Sequence, residues 1–142
     1  LAEGDGFGEQ ALLSDAPRNA TIAALSDGAL MRLAKADFDK LLKEPLLDCV
    51  TAREAMARVQ AGAGLIDVRL ESEYRRASLK GSINIPLAQL RQKAGGLDSG
   101  RQYIVYCDTG RRSGAAAFLL SERGFNVALL KDGLQALRKV NP

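Results

Sequence analysis

One cysteine in this 142-residue chain stands where a side chain can act as a nucleophile. The β-branched and aromatic run Tyr103 to Tyr106 predicts a short buried strand, and Cys107 follows it directly. A loop and a helix come next, with Ser113 predicted as the N-cap. The helix dipole and unpaired backbone N–H groups there favour an anion such as a thiolate. Cys107 is therefore predicted to be a nucleophile, although its position alone fits an ordinary buried cysteine equally well.

The loop between the predicted strand and helix combines a glycine with charged side chains. Gly110 permits a tight turn, and Arg112, more than Arg111, is expected to attract an anionic reactant. The carboxylate of Asp108 is expected to offset part of that attraction. Backbone N–H groups of the loop would surround an anion held on the sulfur. The predicted binding loop consists of Asp108, Thr109, Gly110, Arg111, Arg112 and Ser113.

The segment from Cys107 to Ser113 resembles the active-site loop of rhodanese-like domains, Cys-x-x-Gly-x-Arg-Ser/Thr. Further segments resemble the family in the same order, and together they cover the chain from about Cys49 to its end. These segments are Leu65-Ile66-Asp67-Val68-Arg69, Glu73-Tyr74, Gly81-Ser82-Ile83-Asn84-Ile85-Pro86, Gly124-Phe125-Asn126-Val127 and Asp132-Gly133-Leu134. At Ser78 the family often has histidine, so any assistance from that histidine is lost here.

This resemblance implies a sulfurtransferase. A small anionic donor such as thiosulfate would give its sulfane sulfur to Cys107 as a persulfide, and an unknown thiol acceptor would remove it. The implied chemistry needs no external cofactor and no metal. Asp67 and Arg69 flank Val68 and therefore point to the same face of their strand. They are expected either to set the charge of the loop or to form a salt bridge that anchors it.

The first 47 residues have a pattern of their own. Two predicted strands, Ala20 to Leu25 and Leu30 to Leu33, are separated by Asp27-Gly28, which indicates a hairpin. A single helical turn is expected at Glu9 to Leu13, and an amphipathic helix at Ala36 to Lys43 ends before Pro45. We therefore predict two domains, residues 1–47 and residues 48–142.

The pattern of the first domain resembles the C-terminal half of a cyclic-nucleotide-binding domain. Gly8 and Glu9 resemble its phosphate-binding cassette, as do Arg18 and Thr21, while Asn19 departs from the usual small residue. In that family a glutamate binds the ribose 2′-hydroxyl and an arginine pairs with the cyclic phosphate. Without the earlier strands we expect a vestigial site, with a cyclic nucleotide bound only in a longer protein. We also expect the remaining hairpin to be covered by the second domain or by a homodimer.

The order of elements after residue 48 predicts an α/β fold. Predicted helices span Thr51 to Gln60, Glu71 to Arg75, Leu87 to Lys93, Ser113 to Arg123 and Leu134 to Lys139, and predicted strands span Leu65 to Val68, Ser82 to Ile85 and Asn126 to Leu130 in addition to Tyr103 to Tyr106. Alternating strands and helices of these lengths predict a rhodanese-like parallel sheet with helices on both faces. Ligands of such sheets bind at the carboxyl ends of the strands, where Cys107 lies.

Composition narrows the functional classes. Hydrophobic residues make up 46% and charged residues 26%, and the net charge of +3 is dispersed, so neither a nucleic-acid nor a membrane partner is predicted. The chain has no histidine, which excludes Ser-His and Cys-His catalysis. Two cysteines without a disulfide framework fit a reducing cytoplasm. The start at Leu1 suggests a fragment of a longer protein.

Two other functions stay open at this point. A cysteine phosphatase uses a similar loop, but its arginine lies six positions after the cysteine, whereas Arg112 lies five after Cys107. The other alternative is a regulatory or persulfide-carrier module coupled to nucleotide sensing. Cys49 is interpreted as a packed or linker cysteine, with a resolving thiol as the alternative.

Overall fold

A five-stranded parallel sheet forms the centre of the molecule. The computed structural model of the chain describes residues 2, 6–14, 17–18, 20–43 and 47–135. The strands are β1 (Asp48–Val50), β2 (Gly64–Asp67), β3 (Ser82–Asn84), β4 (Tyr103–Tyr106) and β5 (Val127–Leu130). Their order is β1-β5-β4-β2-β3, and every neighbouring pair is parallel. The predicted α/β class with a parallel sheet is confirmed.

In the described part of the chain, six α-helices with both ends described and several shorter turns surround this sheet. The α-helices are α1 (Glu9–Ser14), α2 (Lys35–Phe38), α3 (Ala52–Gln60), α4 (Glu71–Arg76), α5 (Leu90–Lys93) and α6 (Arg111–Glu122). A π-helical turn, Asp39–Lys43, continues α2, and 3-10 turns at Leu87–Gln89 and Ala94–Gly96 flank α5. Residues 133–135 are helical, while the rest of the helix predicted to reach Lys139 lies outside the described residues, as does Asn19.

The two faces of the sheet have separate cores, as alternation along the strands requires. Val105 faces a core built with α5 and α6, whereas Ile104 and Tyr106 face a core built with α3 and Leu134. Strand β4 is fully buried and lies between β5 and β2. Cys107 therefore leaves the sheet at its middle, with structure on both sides to hold the loop that follows.

Two elements follow the predicted domain boundary at residue 48, and the sequence predicted only one of them. Helix α3 begins as expected, because the hydroxyl of Thr51 accepts a hydrogen bond from the Glu54 N–H (3.3 Å) and the Glu54 carboxylate accepts one from the Thr51 N–H (2.8 Å). Strand β1 was not predicted. Its three residues pair with β5, about eighty positions along the chain, so no local pattern marks them.

The N-terminal segment packs against α6, the helix that follows the cysteine loop. The ring of Phe38 meets the ring of Phe118 edge to face, with centroids 5.3 Å apart, and both side chains are buried. Ala115 of α6 belongs to the same small core, and Leu12 of α1, Leu47 and Leu87 pack against it. The outer face of α6 is thus covered by residues that belong to the predicted first domain.

The structure does not contain the hairpin that was predicted for the N-terminal segment. No residue from Ala20 to Leu33 is in a strand, and all of them are exposed, Leu25 and Met31 completely. A lone pair of strands is marginal without a third strand or a helix to cover it. The homodimer expected through this segment stays a prediction. No helix in the described residues is both long and apolar enough to cross a membrane.

We expect Phe38→Ala to lower the free energy of unfolding by about 3 kcal/mol, because it removes a buried ring and leaves a cavity beside Phe118. Urea denaturation of the 142-residue chain measures this. Leu25→Ala is the control, since Leu25 is fully exposed and its loss should change stability by less than about 0.5 kcal/mol. Equal effects of the two substitutions would show that the N-terminal segment does not pack on α6.

Candidate functional site

The sulfur of Cys107 accepts hydrogen bonds from the start of α6. Its Sγ lies 3.2 Å from the Gly110 N–H and 3.4 Å from the Ser113 N–H, and the Ser113 hydroxyl is 3.3 Å away. Cys107 is 1% exposed and Ser113 is completely buried. Donors at a helix N-terminus that converge on one sulfur favour a negative charge there. The geometry therefore suits a thiolate, or an anion extended from it by one atom.

Ser113 has a different place from the one predicted. Gly110, with φ of +93°, is the N-cap, and α6 begins at Arg111, so Ser113 lies within the first helical turn. Its hydroxyl oxygen is 3.2 Å from the Gly110 carbonyl as well as 3.3 Å from Sγ. A hydroxyl has one proton, so it donates either to the carbonyl or to the sulfur. The serine side chain contacts the sulfur of Cys107 rather than capping the helix.

Asp67 and Arg69 form a buried ion pair under the loop. Arg69 donates from Nε and Nη2 to the two carboxylate oxygens of Asp67, at 3.0 and 2.7 Å. The Asp67 carboxylate is the main reason that the pKa of Arg69 is raised. A further Arg69 nitrogen, Nη1, reaches Asp108 at 3.2 Å. The structure thus brings both predicted supporting residues to the loop. Whether they set its charge or anchor it stays a prediction.

Arg112 is held by two carboxylates. It donates to both oxygens of Glu73, at 2.7 and 2.8 Å, and to Asp108 at 3.2 Å. The guanidinium lowers the pKa of Glu73 to about 2, and the Glu73 carboxylate in turn raises the pKa of Arg112. A continuous ion-pair chain results, running Asp67–Arg69–Asp108–Arg112–Glu73. The role predicted for Arg112, recruiting an anion, stays a prediction, and its charge is already balanced.

Sequence reasoning assigned no role to Glu73 in the site. Glu73 lies on α4 and is 39 residues from Arg112, so no local spacing connects them. Its Oε2 also accepts a hydrogen bond from the Leu70 N–H (2.8 Å), which fixes the carboxylate at the start of α4. The sequence signal for Glu73 was that Glu73-Tyr74 resembles a segment of rhodanese-like domains.

The second feature that sequence reasoning missed is the turn after β5. Asp132 and Gly133 both have positive φ, and the N–H groups of Leu134 and Gln135 then donate to the carbonyls of Cys107 (2.9 Å) and Asp108 (3.2 Å). A Cβ on Gly133 would lie 2.7 Å from the carbonyl carbon and oxygen of Asp108. Only glycine allows this close approach. The turn therefore holds the first two residues of the loop from behind.

The residues that resemble a nucleotide site lie elsewhere. Glu9 pairs with Arg91 on α5, and its second carboxylate oxygen is buried with no partner among the described residues. The guanidinium of Arg18 lies against Gly8, since Nη1 would be 2.6 Å from a Cβ there. Thr21 is exposed. The structure thus brings Gly8 and Arg18 together and joins Glu9 to the sheet domain.

Cys49 and a metal-binding cluster are the two candidates that remain to be located. Cys49 is exposed on edge strand β1, and β5 separates that strand from β4, so the two cysteines do not share a site. Within the described residues, no three Cys, Asp or Glu side chains are grouped so that they could hold a metal ion.

Each of the two parts of the chain matches a known protein family. The family described as the rhodanese-like domain matches residues 51–139, and the cyclic nucleotide-binding domain family matches residues 1–45. The recognition of both families from the sequence is confirmed. A solved structure with the same fold is that of a rhodanese-related protein from Thermoplasma volcanium, with a TM-score of 0.63 and 32% identity, covering 66% of this chain and 93% of that one.

Curated relatives belong to more than one kind of protein. The thiosulfate sulfurtransferase PspE of Escherichia coli is 38% identical over 73 residues, which is 47% of this chain and 70% of the relative. The HTH-type transcriptional regulator Rv0324 of Mycobacterium tuberculosis is 35% identical over 89 residues, or 62% of this chain. The chain spans 38% of that regulator.

We expect Gly133→Ala to lower the rate of alkylation of Cys107 by iodoacetamide by more than about tenfold, because the added methyl group displaces the Asp108 carbonyl and the loop with it. Peptide mass spectrometry measures modification at Cys107 separately from Cys49.

Gly124→Ala is the matched control. Gly124 also has positive φ (+82°), but a Cβ there meets no atom within 4 Å. Both variants carry the backbone strain of alanine in this region, about 1 kcal/mol, and only one disturbs the loop. An equal loss of reactivity in the two would mean that general destabilisation, and not the position of the loop, controls Cys107.

Proposed function

The chain belongs to the rhodanese-like family, and from this we propose that it transfers a sulfane sulfur through a persulfide on Cys107. The observation that carries the proposal is the convergence on Sγ of two backbone N–H groups, at 3.2 and 3.4 Å, and of the Ser113 hydroxyl, at 3.3 Å, at the N-terminus of α6. The relative PspE, a thiosulfate sulfurtransferase, supports thiosulfate as one donor. The acceptor is a thiol.

In the first step the Cys107 thiolate attacks the outer sulfur of thiosulfate. The sulfur–sulfur bond of the donor breaks, sulfite leaves with the bonding electrons, and Cys107 keeps the outer sulfur as a persulfide anion. The charge on the enzyme is unchanged, so the same donors serve before and after transfer. In the second step an acceptor thiolate attacks the outer sulfur, and Cys107 leaves as a thiolate.

The loop has spare donors for the added sulfur. The N–H groups of Gly110 and Ser113 point at Sγ itself. Those of Thr109, Arg111 and Arg112 have no hydrogen-bond partner in the part of the chain that the structure describes. Successive unpaired N–H groups in a turn before a helix form a cradle for an anion. We assign the outer persulfide sulfur to this cradle.

The alternatives have less support. A phosphatase loop is one residue longer before its arginine, and here Arg112 is paired with Glu73 and not presented to a phosphate. A regulatory or carrier module remains the second candidate, because a transcriptional regulator contains a similar domain and because this chain joins two families. The two candidates share the persulfide and differ in whether an acceptor removes it catalytically.

We expect exposure to thiosulfate to add the mass of one sulfur atom to the intact chain, and Cys107→Ser to abolish both this addition and the transfer of sulfur to cyanide. The reason is that Sγ is the group on which the donors converge. Intact mass spectrometry detects the persulfide, and thiocyanate production measures turnover.

Cys49→Ser is the matched control and should keep both activities, since Cys49 lies on an edge strand outside the loop. A persulfide on Cys49 with Cys107 unmodified would overturn the assignment. A persulfide that forms on Cys107 without turnover toward any thiol would favour the carrier.

For the N-terminal segment we propose that a cyclic nucleotide controls the activity only in a longer protein. Glu9, which the family resemblance assigns to a ribose hydroxyl, is paired with Arg91. The segment from Ala20 to Leu33 forms no strand that would make a wall. A small ligand needs a concave and largely preformed site, and these residues do not provide one.

We therefore expect isothermal titration calorimetry of this chain to detect no binding of cyclic AMP or cyclic GMP at micromolar concentrations. Arg18→Ala serves as the control for the residue matched to the phosphate-binding position. Micromolar binding that is lost in Arg18→Ala would show that residues 1–47 hold a working site.

A further inference from the structure

Helix α6 lies between the sheet and the N-terminal segment. Its inner face, which includes Ala116 and Leu120, belongs to the core on one side of the sheet. Its outer face presents Ala115 and Phe118, and these two residues form a separate small core with Phe38. The ring of Phe38 is 5% exposed and meets the ring of Phe118 edge to face. A side chain from the N-terminal segment therefore covers the helix that begins at the cysteine loop.

The first half of α6 has little side-chain bulk of its own. Ser113 and Gly114 are followed by three alanines, and all five residues are buried. Small side chains make few van der Waals contacts, so the position of this half of the helix depends on what packs against it. The Ser113 N–H, which donates to the sulfur of Cys107, lies two residues before Ala115. The contact of Phe38 with Ala115 therefore bears directly on a donor to the sulfur.

Both backbone hydrogen bonds to the sulfur depend on where α6 begins. Sγ lies 3.2 Å from the Gly110 N–H and 3.4 Å from the Ser113 N–H. The Gly114 N–H donates to the Gly110 carbonyl at 2.8 Å, which connects both donors to the first turn of the helix. The effect of a helix N-terminus on an anion is confined to that turn. An outward shift of α6 would weaken both hydrogen bonds together.

Both described helices of the N-terminal segment contact the sheet domain. Phe38 ends α2, and Leu12 of α1 packs against the same small core. Glu9, also on α1, forms an ion pair with Arg91 on α5, and its side chain is 12% exposed. The segment is thus attached at α1 and at α2, and both attachments lie on the side of the molecule that carries α6.

We infer that Phe38 is a positioning residue for the cysteine loop, and that the N-terminal segment controls the reactivity of Cys107 by holding α6 against the sheet. This deepens the proposed function and rests on it for the role of the Cys107 thiolate. Phe38 acts through Ala115 and Phe118, and the first turn of α6 passes the effect to the sulfur. With the ring in place, the N–H groups of that turn stay within hydrogen-bond distance of Sγ and favour a negative charge there.

A substitution at Phe38 changes none of the charges that surround the sulfur. Those charges come from the loop, from β2 and the residues after it, from α4, from the start of α6 and from the turn after β5. They are carried by Asp108, Asp67, Arg69, Glu73, Arg111, Arg112, Lys131 and Asp132. A change in how Cys107 responds to pH, after a substitution at Phe38, therefore reports a change in the position of these groups or of the N–H donors.

The test measures the rate at which iodoacetamide alkylates Cys107 in the 142-residue chain, at about pH 7 and at about pH 10, with peptide mass spectrometry to separate Cys107 from Cys49. Thiols are largely ionised at the higher pH, so the ratio of the rate at low pH to the rate at high pH reports the ionised fraction near neutrality. Phe38→Ala should lower this ratio by about twofold to fivefold, the range for an anion that loses part of a helix N-terminus. Phe38→Leu keeps much of the apolar bulk and should restore most of the ratio.

Leu65→Ala is the matched control for general destabilisation. Leu65 is 6% exposed and packs in the core on the sheet face opposite to α6. Its truncation should lower the urea midpoint about as much as Phe38→Ala does, and it should leave the ratio unchanged. Leu12→Ala should move the ratio in the same direction as Phe38→Ala, and it serves as the test if Phe38→Ala does not fold.

Three results would overturn the inference: an unchanged ratio in Phe38→Ala (or in Leu12→Ala, where that variant takes its place), an equal fall in Leu65→Ala, or a ratio in Phe38→Leu as low as in Phe38→Ala. Failure of thiosulfate to load sulfur onto Cys107 of the wild-type chain is a different outcome. It would overturn the proposed function, whereas the alkylation ratios would still decide whether Phe38 positions the loop.

Discussion

The shape of the cysteine loop depends on the ion pairs that surround it. Asp108, the first residue after Cys107, is tied to Arg69 beneath the loop and to Arg112 beside it. Glu73 then connects Arg112 to α4. A buried charge without a partner is costly, so the constraint is strongest at Asp67 and Arg69, and it is weaker at the three partly exposed members, Asp108, Arg112 and Glu73. The loop is therefore positioned by groups from β2, α4 and α6 together, and the hydrogen bonds on the sulfur follow from that position.

Backbone hydrogen bonds also hold the cysteine loop in position. Gly110 allows the chain to turn directly into α6, which aims two N–H groups at the sulfur. From the other side, Leu134 and Gln135 bind the carbonyls of Cys107 and Asp108. The loop is thus held on one side by N–H groups that donate to the sulfur, and on the other by its carbonyls, which accept hydrogen bonds from the turn after β5. Such preorganisation means that little rearrangement is needed when charge moves onto a second sulfur.

The N-terminal segment is connected to this site by its contacts with α6. Phe38 and Leu12 cover the outer face of the helix whose first turn surrounds the sulfur. Glu9 reaches Arg91 on the neighbouring helix. A change in the N-terminal segment would therefore act first on the packing of α6.

The sequence by itself determined the elements whose causes are local. The β-branched run before Cys107, the glycine in the loop and the capping pair of α3 each depend on neighbours within a few residues, and each was predicted correctly. Tertiary structure decided everything that needs a distant partner. Strand β1 exists because β5 lies beside it, and the predicted hairpin is absent where no third strand adjoins it.

The same distinction applies within the site. The order of strand, cysteine, turn and helix could be read from the sequence, and the nucleophilic role of Cys107 stays a prediction. The sequence did not show that Arg112 is neutralised, because that depends on Glu73, 39 residues away. Nor did it show that Gly133 supports the loop, because that contact forms only when β5 returns beside β4. Residue types predicted which atom reacts, and the packing of distant segments decided the charge and the geometry that surround that atom.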